Sequence, residues 1–317
     1  MPLRVAVQMD PLDRINIAGD STFALMLKAQ ELGHELLWYA PEDLSFAEGR
    51  LWTMGYPATV QHVAGDHYKF GEPRILDLGR DVDVLLMRQD PPFDLGYITA
   101  THLLERIQAE TLVVNDPASV RDAPEKLWVL DFPQFMPPTA ITRSKGLARK
   151  FLAEHGEIVV KPVHGFAGGS VFRIGSDGRN LASLIELFNR TYREPHVLQK
   201  FLPEIAEGDK RIVLVDGDVA GAVNRVPGEG EIRSNLAVGG KPAKTALTAR
   251  EEEICGVLGP ECRKRGLLLV GIDVIGGQWL TEINVTSPTG VVAIDQFNGT
   301  DTPGMFWEAV ERKLAER

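Results

Sequence analysis

Short, crowded apolar runs alternate with polar breaks from the start of the chain. Arg4 to Met9 reads as an apolar strand, Asp10-Pro11 interrupts it, and Ser21 to Leu32 carries helical spacing that stops at Gly33. Glycine suits a helix C′ position because a left-handed backbone costs it least. His34 to Tyr39, Val82 to Met87 and Thr111 to Asn115 are further strands, with Tyr97 to Gln108 a helix long enough to cross between parallel ones. This first third predicts an open, parallel-sheet α/β unit. Asp116-Pro117 breaks the pattern, a helix is expected to begin within Ser119 to Lys126, and a boundary falls near residue 122.

The next stretch reads as α+β. Glu157 to Val160, Ser170 to Ile174 and His196 to Gln199 are strands, and Leu181 to Tyr192 is a helix. A third unit runs to the end. The division is thus 1–122, 123–201 and 202–317, with no repeat, heptad or low-complexity linker between the units.

Polar side chains interrupt one strand pair near the C-terminus. Gly271 to Asn284 reads as two apolar strands about a Gly276-Gly277 turn, yet it carries Asp273, Glu282 and Asn284. A two-residue turn would set Val274 opposite Trp279 and Asp273 opposite Leu280, and alternation then puts the three polar residues on one side. A loop one residue longer would reverse Asp273 alone. Three converging oxygens suit magnesium, which takes few protein ligands and leaves its other positions to water and phosphate. A solvated strand end is the plainer alternative.

Composition narrows the partners. The 317 residues hold 44 Asp and Glu against 34 Lys and Arg, without a basic run, which disfavours nucleic acid and favours a small charged substrate. Met1 to Gln8 enters a strand directly, and no stretch has the length of a bilayer span, so the cytoplasm is the expected location. Cys255 and Cys262, in a helical segment, are expected to be partly buried thiols with no chemistry.

Lys161-Pro-Val-His-Gly-Phe-Ala-Gly-Gly-Ser170 lies between two strands and lacks the Gly-Lys-Ser/Thr order of a Walker A loop. Gly165, Gly168 and Gly169 would let backbone amides approach phosphate oxygens, with Lys161 adding a point charge, although an ordinary hairpin tip has the same composition. Val197 to Pro203 reads as a strand running into an apolar hinge fit for an adenine ring, and Asp209 could accept from a ribose hydroxyl. Charged turns before strands are common, so Asp209 and Lys210 also fit a structural role. Arg211 would begin a strand pointing at the acidic trio. Arg225 and Asn235 flank the irregular, glycine-rich segment from Pro227 to Gly240, long enough for a binding loop.

Together these features resemble the ATP-grasp superfamily, and in detail the bacterial glutathione synthetases. The resemblance spans nearly the whole chain. Its segments are Gln8–Pro11, Met87-Arg-Gln-Asp-Pro-Pro-Phe-Asp94, Val114–Pro117, Glu125-Lys126, Lys161-Pro162, Gly208–Arg211, Ser234–Ala237, Gly271–Asp273 and Leu280-Thr-Glu-Ile-Asn-Val-Thr-Ser-Pro-Thr289. The chain departs from the family in its flap, with His164-Gly-Phe-Ala167-Gly-Gly where Asp-Gly-x-Gly-Gly is usual.

The resemblance implies an N-terminal α/β substrate-binding domain followed by an ATP-grasp fold of two α+β subdomains. It implies that Lys126, Lys161 and the flap residues Gly165, Phe166, Gly168 and Gly169 bind ATP phosphates. Gln199, Lys200, Phe201 and Leu202 would hold adenine, Asp209 the ribose, and Asp273, Glu282 and Asn284 magnesium, or manganese in its place. Arg211 and Arg225 would be catalytic, facing the γ-phosphate and the carboxylate being activated. Arg88, Asn235, Ser287, Pro288 and Thr289 would contact substrate. The implied reaction joins γ-glutamylcysteine to glycine with cleavage of ATP, in a homotetramer. Two alternatives stay open: another ATP-grasp amino-acid ligase, of glutamate or D-alanine type, and a non-catalytic ATP-binding protein of the same fold.

Overall fold

The computed structural model describes residues 2–235 and 239–317. Its first part is built on an eight-stranded sheet. β1 (Arg4–Gln8) leads through α1 (Ser21–Glu31) to β2 (Glu35–Tyr39), and α1 has the termini its sequence calls for. Asp20 accepts from the amide of Phe23 at the start, and Gly33 takes φ +82° past the end. β3 (Ser45–Ala47), β4 (Arg50–Val60), β5 (Tyr68–Phe70) and β6 (Arg74–Asp77) follow as an antiparallel extension. The chain returns through β7 (Val84–Met87), α2 (Leu95–Leu104) and β8 (Leu112–Val114) to α3 (Pro117–Asp122). β2, β1, β7 and β8 are parallel neighbours, as an open α/β unit requires.

The expected parallel core is present, and the half-exposed β3 to β6, without the apolar density of buried parallel strands, extend it into a mixed sheet. Two expectations for this part need correction. The crossover helix ends at Leu104 and tightens into a 3-10 turn from Glu105 to Ile107, short of Gln108. The helix expected from Ser119 to Lys126 instead runs from Pro117, with Asp116 as its cap, and stops at Asp122 because Pro124 cannot continue it. Lys126 therefore sits in a turn.

A four-stranded antiparallel sheet forms the central part, ordered β11-β10-β12-β9. Its strands are β9 (Thr139–Thr142), β10 (Ile158–Pro162), β11 (Phe172–Ile174) and β12 (His196–Lys200), backed by α4 (Lys145–His155) and α5 (Leu181–Thr191). β9 and α4 escaped the sequence pattern, since the burial of β9 does not alternate. The core here is local: Ala148, Phe151, Ile158, Val160, Leu184, Ile185, Phe188 and Leu198 pack together.

The third part is a five-stranded antiparallel sheet ordered β15-β14-β13-β16-β17. It comprises β13 (Asp209–Val215), β14 (Asp218–Val226), β15 (Lys241–Ala243), β16 (Leu269–Ile275) and β17 (Trp279–Asn284), with α6 (Ala249–Lys264), α7 (Val291–Asn298) and α8 (Thr302–Ala315). Its apolar residues share cores with the N-terminal sheet: Leu85, Trp128, Ile212, Val270 and Ile283 belong to one cluster, and Val5, Phe23, Val213 and Trp307 to another. The first and third parts are thus packed as one mass, and the central sheet keeps its own core. Cys255 and Cys262 lie buried on α6 as free thiols, their pKa values pushed up to about 12 by burial. No helix among the described residues is long and apolar enough to cross a membrane.

Candidate active site

The β16–β17 hairpin departs from the two-residue turn in one respect that matters. Gly276 and Gly277 adopt φ +62° and +64°, but Ile275 pairs with Trp279, so the loop holds three residues and Val274 faces Leu280. A plain ladder would then set Asp273 opposite Thr281 and turn it away from Glu282. The register shifts between Asp273 and Val274, and this bulge places Asp273 directly opposite Glu282, with Asn284 opposite Gly271. The three oxygen-bearing side chains share one face, although the reason is the bulge and not the turn.

The neighbouring strands add charge to that face. Asp209 pairs with Arg225 across β13 and β14, and Arg211 pairs with Asp273 across β13 and β16. Alternation along β13 sends Lys210 to the other side, where it meets Glu251 of α6 at 2.5 Å. Arg211 donates from Nε to Asp273 Oδ1 at 2.5 Å and from its Nη2 to Oδ2 at 3.0 Å. Gly271 makes room for this side chain: a Cβ there would stand 3.2 Å from Arg211 Cδ. Arg225 bonds Asp209 and lies 3.1 Å from Asp273 Oδ1.

The central sheet contributes the opposing wall. Lys161, on β10, donates to Glu282 Oε1 at 2.9 Å, and Lys126 lies 3.4 Å from the same oxygen. Lys126 also donates to the flap carbonyl of Gly165 at 2.6 Å and bonds Glu125. Four carboxylates, Glu125, Asp209, Asp273 and Glu282, thereby face Lys126, Lys161, Arg211 and Arg225.

Their protonation follows from how the cations are shared. Burial alone would raise Asp273, but the charges of Arg211 and Arg225 outweigh it and hold the carboxyl well below the usual range. Glu282 is likewise lowered, burial being overcome by Lys126 and then Lys161. At Asp209 burial outweighs the pull of Arg225 and Arg211, and the negative charge of Asp273 adds to it, pushing the carboxyl up to about 6. Its Oδ1 is buried without a hydrogen-bond partner, whereas Oδ2 accepts from Ser234 at 3.1 Å. Glu125 is raised by burial against the pull of Lys126. Burial works against the Lys126 ammonium, and Glu282 and Glu125 reverse that effect and raise it.

Of these groups, Lys126, Lys161, Asp209, Asp273 and Glu282 line a cleft between the central and C-terminal sheets, and Glu125, Arg211 and Arg225 are tied to that lining through Lys126, Asp273 and Asp209. The cleft collects Lys126, Lys161, the flap residues Gly165, Phe166, Gly168 and Gly169, and the hinge residues Gln199, Lys200, Phe201 and Leu202. Asp209, Asn235, Asp273 and Glu282 complete the expected set within it. The hinge supplies an apolar wall with Ile205 and Val159, and Gln199 is tethered to Thr139 at 2.9 Å. The flap is a close fit: a Cβ on Gly168 would meet Asn235 Oδ1 at 2.8 Å, so the two loops meet only because that position is glycine.

The remaining expected residues stand beside the cleft. Asn284 Nδ2 donates to the carbonyl of Gly271 at 3.2 Å and lies 3.5 Å from Asp273 Oδ2. Arg211 Nη1 donates to the carbonyl of Thr289 at 3.0 Å, and Arg88 Nη2 to that of Pro288 at 3.1 Å. Ser287 Oγ donates to the carbonyl of Arg88 at 3.3 Å. Of the Ser234–Ala237 segment, Leu236 and Ala237 lie outside the described residues. Sequence reasoning missed Glu125, Ser234, Arg233 and the bulge residue Thr281, which all pack in or against the site. Glu125, Ser234 and Thr281 lay within segments that carry the resemblance, and Arg233 carried no signal.

The comparisons agree with this geometry. Residues 3–121 match the model of the prokaryotic glutathione synthetase N-terminal domain, and residues 125–299 that of the prokaryotic glutathione synthetase ATP-grasp domain. A glutathione synthetase of Rhodopseudomonas palustris is 56% identical over 99% of this chain and 100% of its own. One from Bradyrhizobium diazoefficiens is 54% identical over 100% of both chains. Among solved structures, a D-cycloserine synthetase superposes with TM-score 0.67 at 17% identity, over 98% of this chain and 99% of its own. D-alanyl-alanine synthetase A of Vibrio cholerae superposes with TM-score 0.61 at 13% identity, over 100% of both. An ATP-grasp architecture, a cleft lined by paired lysines and carboxylates, and full-length likeness lead to one assignment: the chain belongs to the prokaryotic glutathione synthetase family.

Proposed function

We propose that the protein ligates γ-glutamylcysteine to glycine, cleaving ATP to ADP and phosphate through an acyl phosphate. The observation that carries this reading is the single charged face on which Arg211, Arg225, Asp273 and Glu282 meet, closed from the other side by Lys126 and Lys161. A carboxylate acylates poorly at neutral pH, so phosphorylating it supplies the leaving group that the glycine amine displaces. Phosphoryl transfer asks for positioning and charge neutralisation more than for a protein nucleophile, and this site is rich in both.

The roles follow from position. Lys126 and Lys161 take the ATP phosphates, releasing Glu282 from their grip. Gly165, Phe166, Gly168 and Gly169 cover them, and closure of that flap keeps water from the acyl phosphate. Gln199, Lys200, Phe201 and Leu202 hold adenine, and the unpartnered Oδ1 of Asp209 accepts from a ribose hydroxyl. Arg211 and Arg225 neutralise charge on the γ-phosphate and on the carboxylate it reaches. Arg88, Asn235, Ser287, Pro288 and Thr289 position the peptide. Asp273, Glu282 and Asn284 fit magnesium or manganese, since the donors are hard oxygens on one face and Asp273 opposes Glu282 directly. When bound there, such an ion would supply Lewis-acid charge that offsets the negative charge of phosphate.

Residues 1–122 would form the peptide-binding domain, 123–201 and 202–317 the two ATP-grasp subdomains, and the active form would be a cytoplasmic homotetramer. Phosphate release measured with γ-glutamylcysteine and glycine each omitted in turn tests the reaction. Release that needs both supports the reading, and release unaffected by omitting either rejects it. Limited proteolysis tests closure: ATP should protect the segment from Gly165 to Gly169, and equal cutting with and without nucleotide counts against it.

A further inference from the structure

The first turn of the flap leans on the N-terminal domain through two rings, and neither ring lines the cleft. Pro162, Val163, His164 and Gly165 form that turn, which the Gly165 amide closes by donating to the Pro162 carbonyl at 3.3 Å. Val163 is buried and anchors it. The His164 ring lies 5.7 Å from the Phe93 ring, at an interplanar angle of 42°. Phe93 in turn lies 5.3 Å from the ring of Tyr97 on α2, a residue of the first core cluster. An imidazole of the flap thus rests on an aromatic pair rooted in the N-terminal core.

Both ends of this contact lead to residues with proposed roles. Phe93 belongs to the turn after β7 that also carries Arg88, and Asp94 fixes the end of that turn by accepting from the amide of Tyr97 at 2.9 Å. His164 precedes Gly165, whose carbonyl accepts from Lys126 at 2.6 Å, and the same ammonium stands 3.4 Å from Glu282. Burial pushes the His164 pKa down, the charge of Glu194 pulls it up and that of Lys126 lowers it again, which leaves the ring neutral at neutral pH. A neutral ring packs on Phe93 without burying a charge.

We propose that His164 is a positioning residue that ties the flap, through Phe93, to the turn after β7, so that peptide and ATP each tighten the binding of the other. Peptide that orders the turn from Arg88 to Asp94 fixes Phe93, and Phe93 fixes the His164 ring. The flap amides that follow then have less freedom to lose when they meet phosphate. The effect runs equally in both directions, because the two binding free energies are linked. This rests on the ligase reading above and deepens it, by naming the contact through which the peptide domain and the nucleotide flap sense each other.

The test uses the whole protein, titrated calorimetrically with a non-hydrolysable ATP analogue and magnesium, in the presence and absence of saturating γ-glutamylcysteine. In wild type the peptide should lower the Kd of the analogue about threefold, the size of one aromatic contact, and the analogue should lower the Kd of the peptide by the same factor. His164→Ala and Phe93→Ala should each abolish this effect, and the double variant should lose no more than either alone. His164→Phe keeps a ring and should restore it. Hydrogen exchange of amides 163 to 169 should slow in wild type on adding peptide alone, and should not change in His164→Ala. Should alanine disturb folding, His164→Gln removes the ring at similar volume and is read in the same way. Peptide that binds wild type without altering the analogue affinity overturns the proposal alone, as does full coupling in His164→Ala or His164→Gln, or additive losses in the double variant. A wild-type protein that binds the analogue but no γ-glutamylcysteine rejects the ligase reading, and the proposal with it.

Discussion

Lys161 Nζ stands 2.9 Å from Glu282 Oε1, joining β10 of the central sheet to β17 of the C-terminal sheet across the cleft. The ion pair is internal to the protein, and it engages the groups assigned above to nucleotide and metal. On the proposed roles, binding would be an exchange of partners: phosphate would replace Glu282 on the lysines, and a cation would replace the lysines on Glu282. Such an exchange limits the cost of holding four carboxylates and four cations out of water.

Glu282→Gln should lower turnover by about 100-fold and raise the magnesium concentration needed for half-maximal rate, because the neutral amide holds a hard cation poorly. Steady-state assays over a magnesium series will read both effects. Wild-type activity with an unchanged metal requirement would remove Glu282 from the site.

Asp209 predicts the sign of a pH effect. Its folded pKa of about 6 lies above the ordinary carboxylate value of 3.8, so the unfolded chain releases this proton first as pH rises. The group therefore subtracts stability progressively between about pH 4 and 6, while Asp273, lowered by its arginines, adds stability that is lost as pH falls below its ordinary range. Asp209→Asn should make the urea midpoint rise more steeply, or fall less, across pH 4 to 6 than in wild type. Parallel pH profiles would contradict it.

Ala167 holds φ +51° in the flap, between Phe166 and a Gly168 at φ +73°. A left-handed alanine is strained by roughly 1–2 kcal/mol relative to an unstrained residue, and glycine removes that strain. Ala167→Gly should leave the closed flap at least as populated as in wild type, and Ala167→Val should depopulate it, since a β-branched residue resists this conformation more. Hydrogen exchange of the flap amides with ATP bound reports the order. Equal protection in all three proteins would show that the strain does not bear on closure.

Lys210 and Glu251 form a buried pair behind the site. Glu251 is fully buried, accepts from Lys210 at 2.5 Å, and closes a capping box with Thr248 at the start of α6. Glu251→Ala removes one half of the capping box and leaves the buried Lys210 ammonium without its carboxylate, which should cost about 3–5 kcal/mol in urea unfolding. Because Lys210 points away from Arg211, KM for ATP should stay at its wild-type value in the fraction that remains folded. A loss below about 1 kcal/mol would mean that water reaches the lysine.

Much of the chemistry was legible before the fold. Asp273, Glu282 and Asn284 stood out because polar residues break an apolar strand pair, and the flap stood out because glycines cluster between strands. β3 to β6 and β9 did not stand out, because half-exposed strands alternate weakly or not at all. Glu125 gave little sign of itself, since a carboxylate beside a lysine in a turn is ordinary until a second sheet closes over it.

The local pattern by itself determined several of the strands around the site, among them β10, β12, β16 and β17, where α1 begins and ends, and which residue types could meet phosphate and a divalent cation. Those properties depend on neighbours a few residues apart, and the chain records them directly. Only the tertiary structure decided that a bulge at Asp273 restores the parity a three-residue loop would have reversed. It also decided that Asp209 is raised while Asp273 is lowered, though both are aspartates on neighbouring strands. Charge at such a site depends on how closely the same cations reach each carboxylate through space. Lys126 and Lys161 approach Glu282 only when the central sheet is laid against the C-terminal one.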